Sequence, residues 1–346
     1  MKQRPSSCLV LGGGLSGLMA ATTLHQQGIQ VTVVDKGYGI GGRLASRSVV
    51  TPSGEKGLFD YGAQYFTAQE SRFQAWIAQQ VQRGLLQKWA DGFSKVGRSS
   101  VASRAQVTPF WRGTVSNRSL AQDLAKTLDV RNQTRIETIG ACTDSAQGKI
   151  WTAIATNGAS FHCDAVIITS PVPQTLQILD ASGINIAPDQ RQRLEQVSYS
   201  RTIAILAVLD QESAIPDPGG LYVESDEVMW IASNSQKGIS PLPSVTIHAP
   251  PEFSDRHWDG DKDETAQTLL KAASPWLGDA TVVAYHFHRW GYSQPTSLYE
   301  ESFAVIPSDS ATDTLLLAGD AFGPAHVTSH VERAWLSGCA AAHFFL

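Results

Sequence analysis

Apolar residues in this chain come in short runs cut by glycine, and they follow two different periods. Residues 8–11, Cys-Leu-Val-Leu, form an unbroken apolar run of strand type, whereas Leu15, Leu18, Met19 and Leu24 recur at helical spacing. A second strand-like run, IQVTVVD, follows and ends on Asp35. The pattern predicts strand, helix and strand, with Gly12, Gly14 and Gly17 at the first corner. Farther on, SRTIAILAVLD, GLYVESDEVMWIAS, PSVTIHAP and ATVVAYHFHRW read as alternating or fully buried strands of one antiparallel sheet. Two more apolar strands, in FHCDAVIITSPVP and TLLLAGDAFG, run out into prolines and into Gly319 and Asp320. The chain closes on SHVERAWLSGCAAAHFF, a helix whose Ser329 and Glu332 have capping-box spacing. ESAIPDPGG and SQKGISPLPS read as surface loops, and no repeat, low-complexity tract or long linker interrupts the pattern.

The glycine corner has a chemical use. In a G-x-G-x-x-G turn the first glycine makes the tight bend, the second lets backbone approach a pyrophosphate, and the third packs helix on strand. The helix start, here Leu15 and Ser16, then points its free N–H groups at the phosphates. Asp35 lies 35 − 17 = 18 residues past Gly17, where an acid accepts hydrogen bonds from both ribose hydroxyls, with Lys36 beside it. These residues predict a dinucleotide cradle. DPGGLY lacks the strand–helix setting of a second cradle, so a two-cradle nicotinamide reductase is not expected.

Composition narrows the class. With 346 residues, 42% of them hydrophobic, the chain buries a large core in one large or two interleaved domains. A formal charge of -5, with 27 scattered Lys and Arg against 32 Asp and Glu, excludes the basic footprint of a nucleic-acid binder. Cys8, Cys142, Cys163 and Cys339 lie far apart with no C-x-x-C pair, which predicts neither disulfides nor a metal site and fits a reducing, cytoplasmic setting. The longest aliphatic run, residues 203–209, is far below the roughly 20 residues of a membrane span, so no transmembrane segment is expected. Monomer and dimer both stay open.

GYGIGGRLASRS, which follows Asp35, places Gly39, Gly41, Gly42 and Arg43 where a nicotinamide-binding domain would enter its next helix. This continuation resembles the flavin-containing amine oxidase superfamily, in which Gly-Gly-Arg lies against FAD. Arg43 would give the pyrophosphate a bidentate countercharge. In FDYGAQYF, glycine between aromatics implies backbone against a flat ligand, with Gly62, Ala63 and Gln64 beside the flavin. Asp320 would bind a ribityl or pyrophosphate-bridge hydroxyl next to Gly319. Backbone amides near Val331 and Glu332, at the positive end of the closing helix, would face the pyrimidine side of the flavin ring. Thr169 should pass near the cofactor, and Ile136 should offer backbone contacts near the adenine.

The run of DKGYGIGGR, FDYGAQYF, TSPVPQTLQIL, LEQVSYS, VTIHAPPEFS and HRWGYSQP, which spans nearly the whole chain, looks like renalase and its bacterial relatives. The resemblance implies non-covalent FAD and oxidation of 2- or 6-dihydro isomers of NAD(P)H, with electrons passing to O2 and hydrogen peroxide as product. The alternatives are a flavin amine oxidase acting on a small amine and a nearly inactive FAD-binding regulatory protein. Three places depart from that branch: TVSNRS replaces the usual Pro-Gly-Met, Arg333 stands where human renalase has glycine near the flavin edge, and Gly291 replaces a common charged residue. A dihydropyridine expels hydride without a strong base, so the pocket has mainly to position it. Gln64, Tyr65, His248 and Trp290 are the candidates, with His286 and His288 on the same strand face as Trp290 and Arg289 on the other. The expected architecture is α/β: a discontinuous Rossmann-like, doubly wound parallel-sheet FAD domain from residues 1–69, 113–173 and 302–346. An α+β substrate domain on a mixed or antiparallel sheet takes 70–112 and 174–301.

Overall fold

The two periods of the sequence become two separate sheets. The computed structural model describes residues 4–97, 108–144, 148–307 and 315–346. The apolar run Ser7–Leu11 is the central strand of a six-stranded sheet, flanked by Ala165–Ile168 and Gln30–Val34. Leu315–Leu317 and Asp129–Arg131 extend it in parallel, and Ala304–Ile306 closes one edge antiparallel. Such a sheet is covered on both faces, which explains runs that are apolar throughout instead of alternating. Leu9, Leu11, Val166 and Ile168 face one cluster, and Cys8, Val10, Ala165 and Ile167 face the other.

Helix Leu15–Gln26 follows the glycine corner, and the closing helix His330–His343 packs on it. Their contact rests on glycine: a Cβ on Gly338 would lie 2.1 Å from the Ser16 carbonyl oxygen. Gly17 does the packing expected of the third fingerprint glycine, since a Cβ there would lie 2.0 Å from the Gly12 carbonyl.

The second sheet also has six strands, in the order Val282–Pro295, Tyr199–Leu209, Ser244–His248, Trp230–Ser233, Gly220–Glu224 and Ser94–Gly97. All its pairs are antiparallel except the last. Within the run Ile203 to Leu209, odd positions pack under helix Lys262–Leu277 and even positions pack on Val49 and Phe59. Both faces are therefore dry.

Two helices join the packing around the parallel sheet, and one expectation changes. Helix Val172–Ala181 begins directly after Pro171 with Pro173 in its first turn, and Val172, Leu176, Leu179 and Leu194 pack beneath the parallel sheet. Helix Ser71–Gln82 likewise packs Phe73, Trp76 and Ile77 against Trp335 of the closing helix. SQKGISPLPS is not simply a surface loop, because Lys237 within it is 1% exposed. No helix among the described residues is long and apolar enough to cross a membrane.

Candidate active site

A cavity of about 1980 Å³ runs from the glycine corner, along residues 61–67, to the second sheet. At its first end, helix Leu15–Gln26 has Gly14 as N-cap and no side chain closing the cap, so its first-turn N–H groups are open to a ligand. Asp35 Oδ2 accepts from Gly13 N at 2.6 Å and Oδ1 from Gly37 N at 2.7 Å, which fixes the carboxylate at the cavity wall. Lys36 Nζ donates to Gln174 Oε1 at 2.9 Å, and Ile136 begins its strand beside them on the lining. Thr169 also lines the cavity, but its hydroxyl donates to the Leu11 and Gly12 carbonyls at 3.0 and 3.3 Å. It holds the glycine corner in shape.

The middle stretch is built by residues 60–64, and every carbonyl there is taken by a side chain. Asp60 O accepts from Gln64 Nε2 at 2.6 Å and Thr246 Oγ1 at 3.0 Å, and Gly62 O accepts from Gln64 at 3.3 Å. Tyr61 O accepts from His248 Nε2 at 3.0 Å and Trp290 Nε1 at 2.9 Å. Ala63 O accepts from Asn117 Nδ2 at 2.6 Å, and Gln64 O from Lys237 Nζ at 2.6 Å. Lys237 is also paired with Asp60 Oδ2 at 2.7 Å, both side chains being fully buried. Asp60 Oδ1 completes the knot by accepting from Ser46 Oγ at 2.5 Å and Asn117 N at 3.0 Å. A short segment is thus held by the second sheet, by Lys237 and by Asn117, with Gly62, Ala63, Gln64 and Tyr65 on the cavity wall.

Two sequence expectations need correction here, and a third gains a protein partner. Arg43 does line the cavity, but its fork grips Asp320, with Nη1 to Oδ2 at 2.6 Å and Nη2 to Oδ1 at 2.7 Å. The two residues form a bidentate pair on the cavity wall, a half-buried guanidinium on a buried carboxylate. Glu332 is not on the lining; its amide is capped by Ser329 Oγ at 3.4 Å. Its buried carboxylate turns away and accepts from Gln69 N at 3.0 Å and Glu70 N at 2.6 Å, which caps helix Ser71–Gln82. Gly17 is a packing residue only, whereas Gly12, Gly14, Leu15, Ser16, Gly41, Gly42, Gly319, Asp320 and Val331 all reach the cavity.

At the far end the second sheet supplies aromatic plates. Trp290 stacks on Tyr61 at 5.1 Å and 24°, and His288 stands edge-on to both at 4.5 and 4.8 Å. The expected face holds: His286, His288 and Trp290 form a row, while Arg289 Nη2 donates to Gly260 O on the other side. Tyr65 hydrogen-bonds the Tyr222 hydroxyl and packs against Phe110 and Trp230, and burial raises its phenol pKa. Burial pushes His248 and His288 down to about 4, with Lys237 adding to the first and Arg47 to the second. Both rings are neutral at physiological pH.

Sequence reasoning missed Tyr61, Arg47, Lys237 and His330. Arg47 lies over the Tyr61 ring at 5.7 Å and meets His286, yet its exposed strand position carries no local motif. His330 and Arg333, three apart on one helix, are legible as a pair facing one side.

The residues fit FAD. The uncapped helix start suits a pyrophosphate, Asp35 suits a ribose, and the close glycine backbone leaves room for a flat ring. Ser16 Oγ and Gln64 Oε1, on two lining residues, are buried without a protein partner. Comparison with known proteins agrees. Residues 10–79 match the NAD(P)-binding Rossmann-like domain, and residues 99–343 match flavin containing amine oxidoreductase. Renalase of Mus musculus is 25% identical over 84% of this chain and 86% of that protein. An iron-sulfur subunit of the CoB–CoM heterodisulfide reductase of Methanocaldococcus jannaschii is 42% identical, but over 15% of this chain and 8% of its own. A redesigned putrescine oxidase shares the fold, with a TM-score of 0.69, 14% identity, and coverage of 99% of this chain and 98% of that one. The chain belongs to the flavin-containing amine oxidoreductase family, on its renalase-type branch, and is an FAD-dependent oxidoreductase.

Proposed function

We propose that this protein oxidises 2- or 6-dihydronicotinamide nucleotides, with molecular oxygen as re-oxidant and hydrogen peroxide as product. FAD, held without a covalent link, supplies the hydride acceptor. One observation carries the reading: among the described residues at the substrate end, Arg47 lies over the Tyr61 ring and no carboxylate lines the cavity there. The three lining acids lie elsewhere, Asp35 and Glu137 at the nucleotide end and Asp320 in the grip of Arg43. A nucleotide brings phosphates and a flat ring, which suit Arg47 and the Tyr61–Trp290 stack. An amine arrives as a cation and would meet the like charge of Arg47 with no carboxylate to offset it.

The side chains then have an orienting task. Trp290 and His248 both hold the Tyr61 carbonyl, so they set the plate against which a substrate ring lies. Gln64 and Tyr65 bound the same space. Bringing the donor carbon to about 3–3.5 Å of its acceptor is worth more than any proton transfer here, because the dihydropyridine nitrogen expels the hydride itself. Histidines kept neutral by burial suit a reaction that needs no general base. Four free cysteines favour a reducing, cytoplasmic setting.

Anaerobic stopped-flow absorbance of the flavin band tests the reading, with 6-dihydro-NAD(P), ordinary NADPH and a panel of amines mixed in turn. Rapid bleaching by the dihydro isomer alone is the expected result. Bleaching by amines alone would replace it with amine oxidation, and no bleaching would make the protein a cofactor-binding regulator.

A further inference from the structure

Arg333 is a long cation folded into the interior next to the cofactor end of the closing helix, and every contact it makes constrains a neighbour. The residue is 4% exposed, and its donors go to three places. Nε donates to Asp320 O at 2.8 Å, Nη1 donates to the Val327 carbonyl, and Nη2 meets His330 Nδ1 at 2.6 Å. A guanidinium has donors and no acceptor, so His330 Nδ1 must be the acceptor in that contact. The ring proton is then confined to Nε2.

His330 is the first residue of the closing helix and lines the cavity with Thr328, Ser329 and Val331. Among the described residues no protein group accepts from its Nε2. The charges facing the ring are those of Asp320, Arg43 and Arg333. Arg43 and Asp320 cancel as a bidentate pair, which leaves Arg333 as net positive charge behind a neutral imidazole. Burial with the two arginines outweighs Asp320 and lowers the His330 pKa to about 4. The first turn of the helix adds its own positive end.

We infer that His330 presents a fixed Nε2–H donor to the bound flavin ring, and that Arg333 is the positioning residue that locks this tautomer. The expected role of backbone amides at Val331 and Glu332 passes largely to a side chain, since the Glu332 amide is already capped. A donor backed by net positive charge favours the flavin when it carries added electrons, so it raises the midpoint potential. The inference rests on FAD binding and not on the identity of the substrate.

Two measurements on the flavin-loaded protein decide it, and neither uses substrate. In protein labelled with 15N-histidine, NMR should show His330 with a bare Nδ1 and a protonated Nε2, and R333M should lose that fixed tautomer. The midpoint potential, read against a reference dye, should fall in H330A by about 30 mV, a tenfold change in the balance of a two-electron couple. H330Q keeps an N–H donor and should recover most of that loss, and R333M should fall between H330A and the parent. A proton on Nδ1 in the parent protein would overturn the tautomer lock. An unchanged potential in H330A, or in R333M where H330A fails to load FAD, would overturn the role toward the flavin.

Discussion

Replacing Lys237 by Met tests the assembly of the 60–64 segment. The side chain is nearly the same length, so the change removes charge while keeping volume. Lys237 and Asp60 are both fully buried and 2.7 Å apart, and Lys237 also donates to the Gln64 carbonyl at 2.6 Å. Burial lowers the lysine pKa, and Asp60 opposes that shift and favours the ammonium. Removing one member of a buried pair strands the other charge, at about 3–5 kcal/mol. At roughly 2 °C per kcal/mol for a chain of this size, K237M should melt about 6–10 °C below the parent. D60N should be destabilised as well, and the K237M/D60N double variant should lose clearly less than the sum, because neither charge is then left alone. The flavin-loaded variants, followed by thermal melting, decide the matter. Additive losses, or a K237M melt within about 2 °C of the parent, roughly 1 kcal/mol, would show that the pair does not hold this segment.

Other outcomes follow from the site and its packing. R47A should raise KM for a dihydronicotinamide nucleotide about tenfold or more, the loss of a charge-assisted contact, with kcat little changed; an unchanged KM would remove Arg47 from substrate binding. His248 sits at about 4 when folded and near 6.5 when unfolded, so the unfolded chain binds the extra proton between those values. Stability should therefore decline as pH falls from about 6.5 to about 4, by about 3 kcal/mol from this residue; H248Q, followed by denaturant unfolding across that range, should remove that share and leave the part due to His288 and His330. G338A forces a methyl to 2.1 Å from the Ser16 carbonyl and should cost about 1–3 kcal/mol and weaken FAD retention, which gel filtration followed by flavin absorbance reads directly.

Chemistry that acts over a few residues is legible along the chain. The glycine corner, the strand behind it and Asp35 are local matters of turn geometry and period, and they are found where the pattern put them. The strand face carrying His286, His288 and Trp290 follows from alternation alone. The tertiary structure decided which polar groups satisfy one another. Arg43 and Asp320 are 277 positions apart, Lys237 and Asp60 are 177 apart, and Glu332 reaches Gln69 across 263. Such pairs are set by the need to match every buried donor, acceptor and charge once the sheets have docked, and that requirement leaves no periodic trace. A glycine fingerprint is legible because it answers to the backbone, whereas a buried lysine in a stretch rich in serine and proline is explained only by the carboxylate waiting for it on another element.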